Sequence, residues 1–129
     1  MSYLVDTDLI IDALHEHSSA LDLLDRLAPS GLAISILTLG ELYEGVYRAA
    51  DPAAHSAALH QFLDGYRIIA LNEPTMERFG RERATLRQQG LLIADFDLLI
   101  AATALAHELM LVTRNLRHFQ RIPTLQIYT

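Results

Sequence analysis

Four short apolar runs punctuate the chain, and each is followed by a stretch with helical spacing. They are "YLV" before Asp6, "LAISI" from Leu32, "YRIIAL" from Tyr66 and "LMLVT" from Leu109. Runs of this length read as buried strands. Strands alternating with helices restrict the fold to an α/β domain, with a central, mostly parallel sheet of four to five strands and helices on both faces. The 129 residues fit one such domain, spanning 1–129. No internal repeat, low-complexity stretch or linker divides it.

The intervening segments carry their own start and stop signals. Thr7 or Asp8 is placed to N-cap "LIIDALHE". "SALDLLDRLAPSG" sets Leu21, Leu24 and Leu27 at helical spacing and stops at Pro29 and Gly31. In "TLGELYEGVYRAA", Thr38 followed three residues on by Glu41 matches a capping box. Pro52 suits the first turn of a helix running to about Leu63, and Pro74 that of a long polar helix to about Gln89, closed by Gly90. "DFDLLIAATALAHE" is apolar nearly all round, so it reads as a buried helix, with Asp95 the better N-cap of its two leading acids. "LRHF" is a short turn or helix and "LQIY" a last strand.

In sheets of this kind ligands bind beyond the carboxyl ends of the strands. The acids collect there. Asp6 ends the first strand, Glu41 lies in the first turns after the second, and Asp95 and Asp97 open the buried helix. Thr113 and Asn115 follow the fourth strand. Several carboxylates sharing a half-buried site must raise their pKa values or take up a cation. Oxygen donors without histidine or cysteine select hard ions, Mg²⁺ or Mn²⁺. Such ions promote phosphodiester hydrolysis by activating water and neutralising phosphate charge. Each acid also has a plain structural reading. Glu41 alone is an ordinary capping acid, and Asp97 suits a helix N-terminus through the macrodipole. For Asp6 the capping role falls more directly to Thr7 and Asp8, which leaves its carboxylate for function.

Composition narrows the alternatives. Sixteen acids against ten bases exclude a simple electrostatic coat for nucleic acid. With no cysteine there is no disulfide framework, thiolate metal site or cysteine nucleophile. The opening lacks a basic leader, and the strongly apolar run Leu98 to Ala106 is far too short to span a bilayer, so a cytoplasmic protein without a membrane segment is expected. The pair Asp6 and Asp8 also fits a phosphoaspartate phosphatase signature. Ile10 stands where that signature has threonine or valine, and the chain has no lysine to support the phosphoryl group. Arg78, Arg81, Arg83 and Arg87 are interleaved with Glu77 and Glu82, as on a solvated helix face. Arg114, Arg117 and Arg121 have no acid between Thr113 and the last residue, and are candidates for RNA or partner contacts.

Taken in order, "YLVDTDLIID", "ISILTLGELYEGV" and "GLLIADFDLLIAATALAHELMLVTRNLRHFQRIPTLQIY" resemble the PIN-domain family, and most closely the VapC-type toxins of bacterial toxin–antitoxin pairs. The resemblance covers nearly the whole chain. It implies a Mg²⁺- or Mn²⁺-dependent endoribonuclease in which Asp6, Glu41 and Asp97 anchor the metal, with water attacking the RNA phosphodiester. It implies a small VapB-type antitoxin as partner, and a homodimer. Asp8 stands where the family more often has asparagine, which suggests a cap or supporting group. His118 stands where many members carry a fourth acid, and Asp95 or Asn115 are the candidate substitutes. A housekeeping RNA-processing nuclease shares this chemistry, and a PIN fold that binds without cutting is a further alternative.

Overall fold

The computed structural model describes residues 2–129. Among them, four strands form one parallel sheet: β1 (Tyr3–Val5), β2 (Leu32–Ser35), β3 (Arg67–Ile69) and β4 (Met110–Val112), in the order β3-β2-β1-β4. The helices are α1 (Thr7–Leu14), α2 (Ser18–Leu27), α3 (Ile36–Arg48), α4 (Pro52–Phe62), α5 (Glu73–Gln89), α6 (Asp95–Ala106) and α7 (Leu116–Phe119). The expected fifth strand, "LQIY", contributes a single parallel bridge, Leu111 to Ile127, beside β4.

Alternation along each strand explains why both faces are covered. Leu4 packs with α5, α6 and α7 residues such as Leu86, Leu98 and Phe119, while its neighbour Val5 packs with Leu9, Leu24, Leu42 and Leu59 on the other side. Ala33 and Ile34 divide in the same way. The apolar character of α6 has its reason here: Leu98, Ile100, Ala101 and Ala104 are all at most 1% exposed. Gly90 ends α5 in a left-handed conformation, φ 68°, which a side chain would resist.

Two joints depart from the sequence reading, and both matter for the site. The helix after β2 begins at Ile36, three residues before the expected start, because Ser35 ends the strand in extended conformation and its side chain accepts from Leu37 N at 3.0 Å. Thr38 is therefore a buried residue inside α3, not a cap, and Glu41 completes no capping box. After β1 the cap is Asp6 itself, whose Oδ1 accepts from Thr7 N at 2.9 Å. Thr7 and Asp8 lie inside the first turn of α1. Strand and helix abut with no loop between them at either joint. At α6 the cap residue is Ala94, with no side-chain cap, and Asp95 and Asp97 both fall in the first turn. Among the described residues, no helix is long and apolar enough to cross a membrane.

Candidate active site

The carboxyl ends of β1, β2 and β4 and the first turn of α6 meet at one edge of the sheet. Side-chain hydrogen bonds there join Asp6, Glu41 and Asp97 into one chain of contacts. From Glu41, Oε1 accepts from the Thr7 hydroxyl at 2.6 Å, and Thr7 Oγ1 also lies 3.0 Å from Thr38 Oγ1. Thr7 N donates to Asp6 Oδ1, and the Thr113 hydroxyl donates to Asp6 Oδ2 at 2.8 Å. Thr113 Oγ1 in turn accepts from Asn115 N at 2.9 Å. Asn115 Nδ2 lies 3.0 Å from His118 Nδ1, which is 3.2 Å from Asp97 Oδ2.

Each position follows from the local fold. Asp6 is set by the last residue of β1 and by its own capping bond. Thr113 follows β4 directly, so the pairing of Val5 with Val112 aligns the two strand ends. Asp97 is fixed by Leu98, which is fully buried. Glu41 reaches in from an exposed position on α3.

Asp6 is 6% exposed. Burial pushes its carboxyl above the usual carboxylate range, hydrogen bonds from Thr113 and Thr7 N pull it back, and the charges of Asp8 and Asp97 push it up again. Asp6 is thus a poorly solvated carboxyl beside two like charges, a condition a cation relieves. Among the described residues, no group of three or more histidine, cysteine, aspartate or glutamate side chains is arranged to hold a metal ion. A hard divalent ion needs less: one or two carboxylates, with water and substrate phosphate completing its shell. Asp6 meets that requirement. Each of its oxygens accepts one hydrogen bond, which leaves each a free lone pair. The acids therefore fit Mg²⁺ or Mn²⁺ in kind, as open donors.

Other candidates stand apart from this chain. Asp95, offered as a secondary metal donor, has an exposed side chain paired with Arg83 Nε at 3.0 Å. Asp8 is exposed on the first turn of α1 and acts on Asp6 through its charge. Two of the three arginines considered for RNA or partner contacts serve the fold. Arg114 donates to Asp12 at 2.6 Å and to Ser19 at 2.9 Å, tying α1 to α2, and Arg121 donates to the carbonyls of Leu91 and Leu92. Arg117 is exposed, with no side-chain hydrogen bond or ion pair among the described residues. On α5, Arg81 pairs with Glu77 in solvent, as expected of a solvated helix face, whereas the Arg78–Glu82 pair is half-buried and departs from that reading.

Sequence reasoning missed the role of Thr7 and Thr38 as the bridge to Glu41. They lie 31 residues apart, and nothing local links them. It also missed the contact between His118 and Asp97, 21 residues apart. Beside the acids, α1, α3 and α4 leave an apolar groove of about 380 Å³, lined by Ile11, Leu14, Leu42, Val46 and Leu59 and bordered by Glu41.

Residues 3–125 match the PIN domain family. The chain is similar to a Rickettsia felis protein named ribonuclease VapC2, 36% identical over 127 residues, covering 97% of this chain and 95% of that protein. It is also similar to ribonuclease VapC2 of Haemophilus influenzae, 31% identical over 98% of this chain and 96% of that one. Among solved structures, VapBC2 of Rickettsia felis bound to a DNA fragment from its promoter aligns with a TM-score of 0.91 and 34% identity, covering 99% and 98% of the two chains.

Proposed function

The chain belongs to the PIN-domain family, and from that premise we propose that it is a VapC-type endoribonuclease, the toxin of a toxin–antitoxin pair. Its close relatives are named ribonucleases, and they match it nearly end to end. The single observation that carries the reading is the chain of contacts from Glu41 through Thr7, Asp6, Thr113, Asn115 and His118 to Asp97. It gathers three acids at the sheet edge where α/β proteins bind ligands. Family membership leaves the phosphoaspartate reading without support.

In this reading Asp6 and Asp97 would hold a Mg²⁺ or Mn²⁺ ion, with Glu41 assisting. When bound, that ion supplies charge neutralisation at the scissile phosphate and a more acidic water. The protein's own part is to fix the carboxylates. Thr7 N and Thr113 hold both oxygens of Asp6 in place. The Thr7 hydroxyl holds Glu41. Arg117, exposed near the site, is suited to a phosphate of the RNA or a carboxylate of the partner.

The partner is a VapB-type antitoxin. The VapBC assemblies among similar structures support this. The apolar groove bordered by Glu41 offers a seat from which a bound chain reaches the acids. The protein acts in the cytoplasm and pairs as a homodimer.

Expression with and without the adjacent antitoxin gene tests the proposal. Growth arrest only in its absence, with RNA ends carrying 5′-phosphates and with both effects lost in Asp97→Asn, is the expected outcome. Cleavage without growth arrest favours an RNA-processing nuclease. No cleavage by the purified, metal-loaded protein favours a binding module and overturns the proposal.

A further inference from the structure

The segment that follows β4 is held by side chains. Thr113 and Arg114 lie beyond Val112, the last residue of the ladder, and among the described residues neither makes a backbone–backbone hydrogen bond. Thr113 nonetheless carries the hydroxyl that donates to Asp6 Oδ2 at 2.8 Å, and its Oγ1 accepts from Asn115 N at 2.9 Å. Keeping that hydroxyl on Asp6 requires a second fixed point. The guanidinium of Arg114 supplies one: Nη1 donates to Asp12 Oδ2 at 2.6 Å and Nη2 to Ser19 Oγ at 2.9 Å.

Asp12 lies on α1, the helix that Asp6 caps. The contacts therefore close a ring. It runs from Asp6 along α1 to Asp12, across to Arg114, one residue back to Thr113, and through the Thr113 hydroxyl to Asp6 again. The helical arm of the ring is about 9 Å long, from six residues at the usual rise. The position of Thr113 is thus tied to the helix whose start holds Asp6. Asp12 is itself held, since His17 Nδ1 lies 3.5 Å from its other oxygen. The Arg114 side chain is 45% exposed and that of Asp12 26%, and pairs this open to solvent add little to stability. What the pair contributes is geometry. A planar fork can grip two acceptors at once, which a lysine ammonium on its flexible stem does not reproduce.

We propose that Arg114 is a positioning residue of the active site, fixing the Thr113 hydroxyl on Asp6 through its two-point grip on Asp12 and Ser19. The inference rests on the ribonuclease reading above, and goes beyond it in assigning Arg114 to the ordering of the acids and not to the RNA. With the grip gone, the segment from Thr113 to Asn115 loses its second anchor, and the contacts running from Asp6 to Asn115 loosen together. Losing a group that orients such a carboxylate typically costs about 10–100-fold in activity. Arg114 acts one step further out, through Thr113, so the expected loss is at the low end, about tenfold.

The test has two arms on full-length protein. The first is steady-state cleavage of an RNA that the wild type cuts, selected from total cellular RNA. Arg114→Ala should lower kcat about tenfold while KM moves less than about twofold. Asp12→Asn, which loosens the same grip from its other end, should lower kcat as well, and Arg114→Lys should recover only part of the loss. An arginine that meets RNA phosphate behaves otherwise. Its removal raises KM and reduces the salt slope by about one, lysine replaces it with little loss, and Asp12→Asn frees it to bind RNA more tightly. That pattern overturns the inference and leaves the ribonuclease reading standing. The second arm is ¹⁵N relaxation of the metal-free protein. Order parameters at Thr113 and Asn115 should be about 0.85 in the wild type and fall below about 0.6 in both Arg114→Ala and Asp12→Asn. Order kept in both variants overturns the inference whatever the activity. Circular dichroism verifies folding, and Arg114→Lys with Ser19→Ala supplies the same comparison if the alanine variant does not fold. A wild type that cuts no RNA overturns the ribonuclease reading, and the order parameters then decide the grip by themselves.

Discussion

Replacing Thr7 with valine tests whether the contacts that hold Glu41 also hold the fold. The swap keeps the shape and removes one hydroxyl. That hydroxyl has one proton, and the 2.6 Å contact to the Glu41 carboxylate is the shorter and charge-assisted one. Thr38, 3.0 Å away, is then the donor into Thr7 Oγ1. Thr38 is fully buried and has no other side-chain partner among the described residues, so valine at position 7 strands its hydroxyl away from water. A buried orphan costs about 1–3 kcal/mol. Glu41 is exposed and regains water, so its lost bond adds only a fraction of the roughly 1.5–3 kcal/mol typical of charged partners. The sum is about 2–3 kcal/mol, read as a lower urea midpoint at unchanged slope. Adding Thr38→Val removes the orphan and should recover about 1 kcal/mol, the non-additivity of a double-mutant cycle. A loss below about 0.5 kcal/mol for Thr7→Val, or a double variant less stable than the single one, would refute the reasoning.

Asp6 gives a prediction in pH. Its carboxyl is raised in the folded protein, so the folded state binds that proton more tightly than the unfolded chain does. The stabilisation is complete below the unfolded carboxyl range and is lost as pH rises through the raised value. Metal-free protein should therefore melt at higher temperature for Asp6→Asn than for wild type at neutral pH, with the gap closing on acidification. Mg²⁺ should raise the wild-type melting temperature and leave the variant unmoved. A wild type insensitive to both pH and Mg²⁺ would contradict the electrostatic account. Asp95→Asn breaks only the exposed pair with Arg83, so urea unfolding should change by less than about 1 kcal/mol and RNA cleavage should persist. Loss of cleavage would return Asp95 to the metal site.

Much of the fold was legible because its signals are local. The four apolar runs, Pro52 and Pro74 at helix starts, and Gly90 at a helix end all stand where the structure uses them. The caps were misread for a definite reason. A residue that both ends a strand and caps a helix, as Asp6 and Ser35 do, leaves no loop to mark the boundary. The next residues with capping chemistry, Thr7 and Thr38, then look like the start. The acids of the site were visible as strand-end and helix-start carboxylates. Their linkage was not, because it depends on pairs far apart in sequence, such as Asp6 with Thr113, 107 residues on. The arginines show the same dependence: Arg114 finds its acid in Asp12, 102 residues back.

The double role of Asp6 has a consequence for how the site is controlled. As the cap of α1 it accepts from Thr7 N, and as the end of β1 it accepts from Thr113. It cannot turn away from Asp97 and Asp8 without giving up one of these bonds. The helix N-terminus and the two donors favour its charge, while burial and the neighbouring acids oppose it, and the opposition prevails. On the side of Asp6 the fold thus holds the carboxyl in place beside its like-charged neighbours. Protonation or an arriving positive charge relieves the repulsion. A divalent ion is one such charge. A lysine or arginine carried by a chain seated in the groove beside Glu41 is another, and the two would compete for the same relief. On the metal-dependent reading proposed above, occupation of the acids by a partner's cation would inhibit by displacing the metal as well as by covering the site.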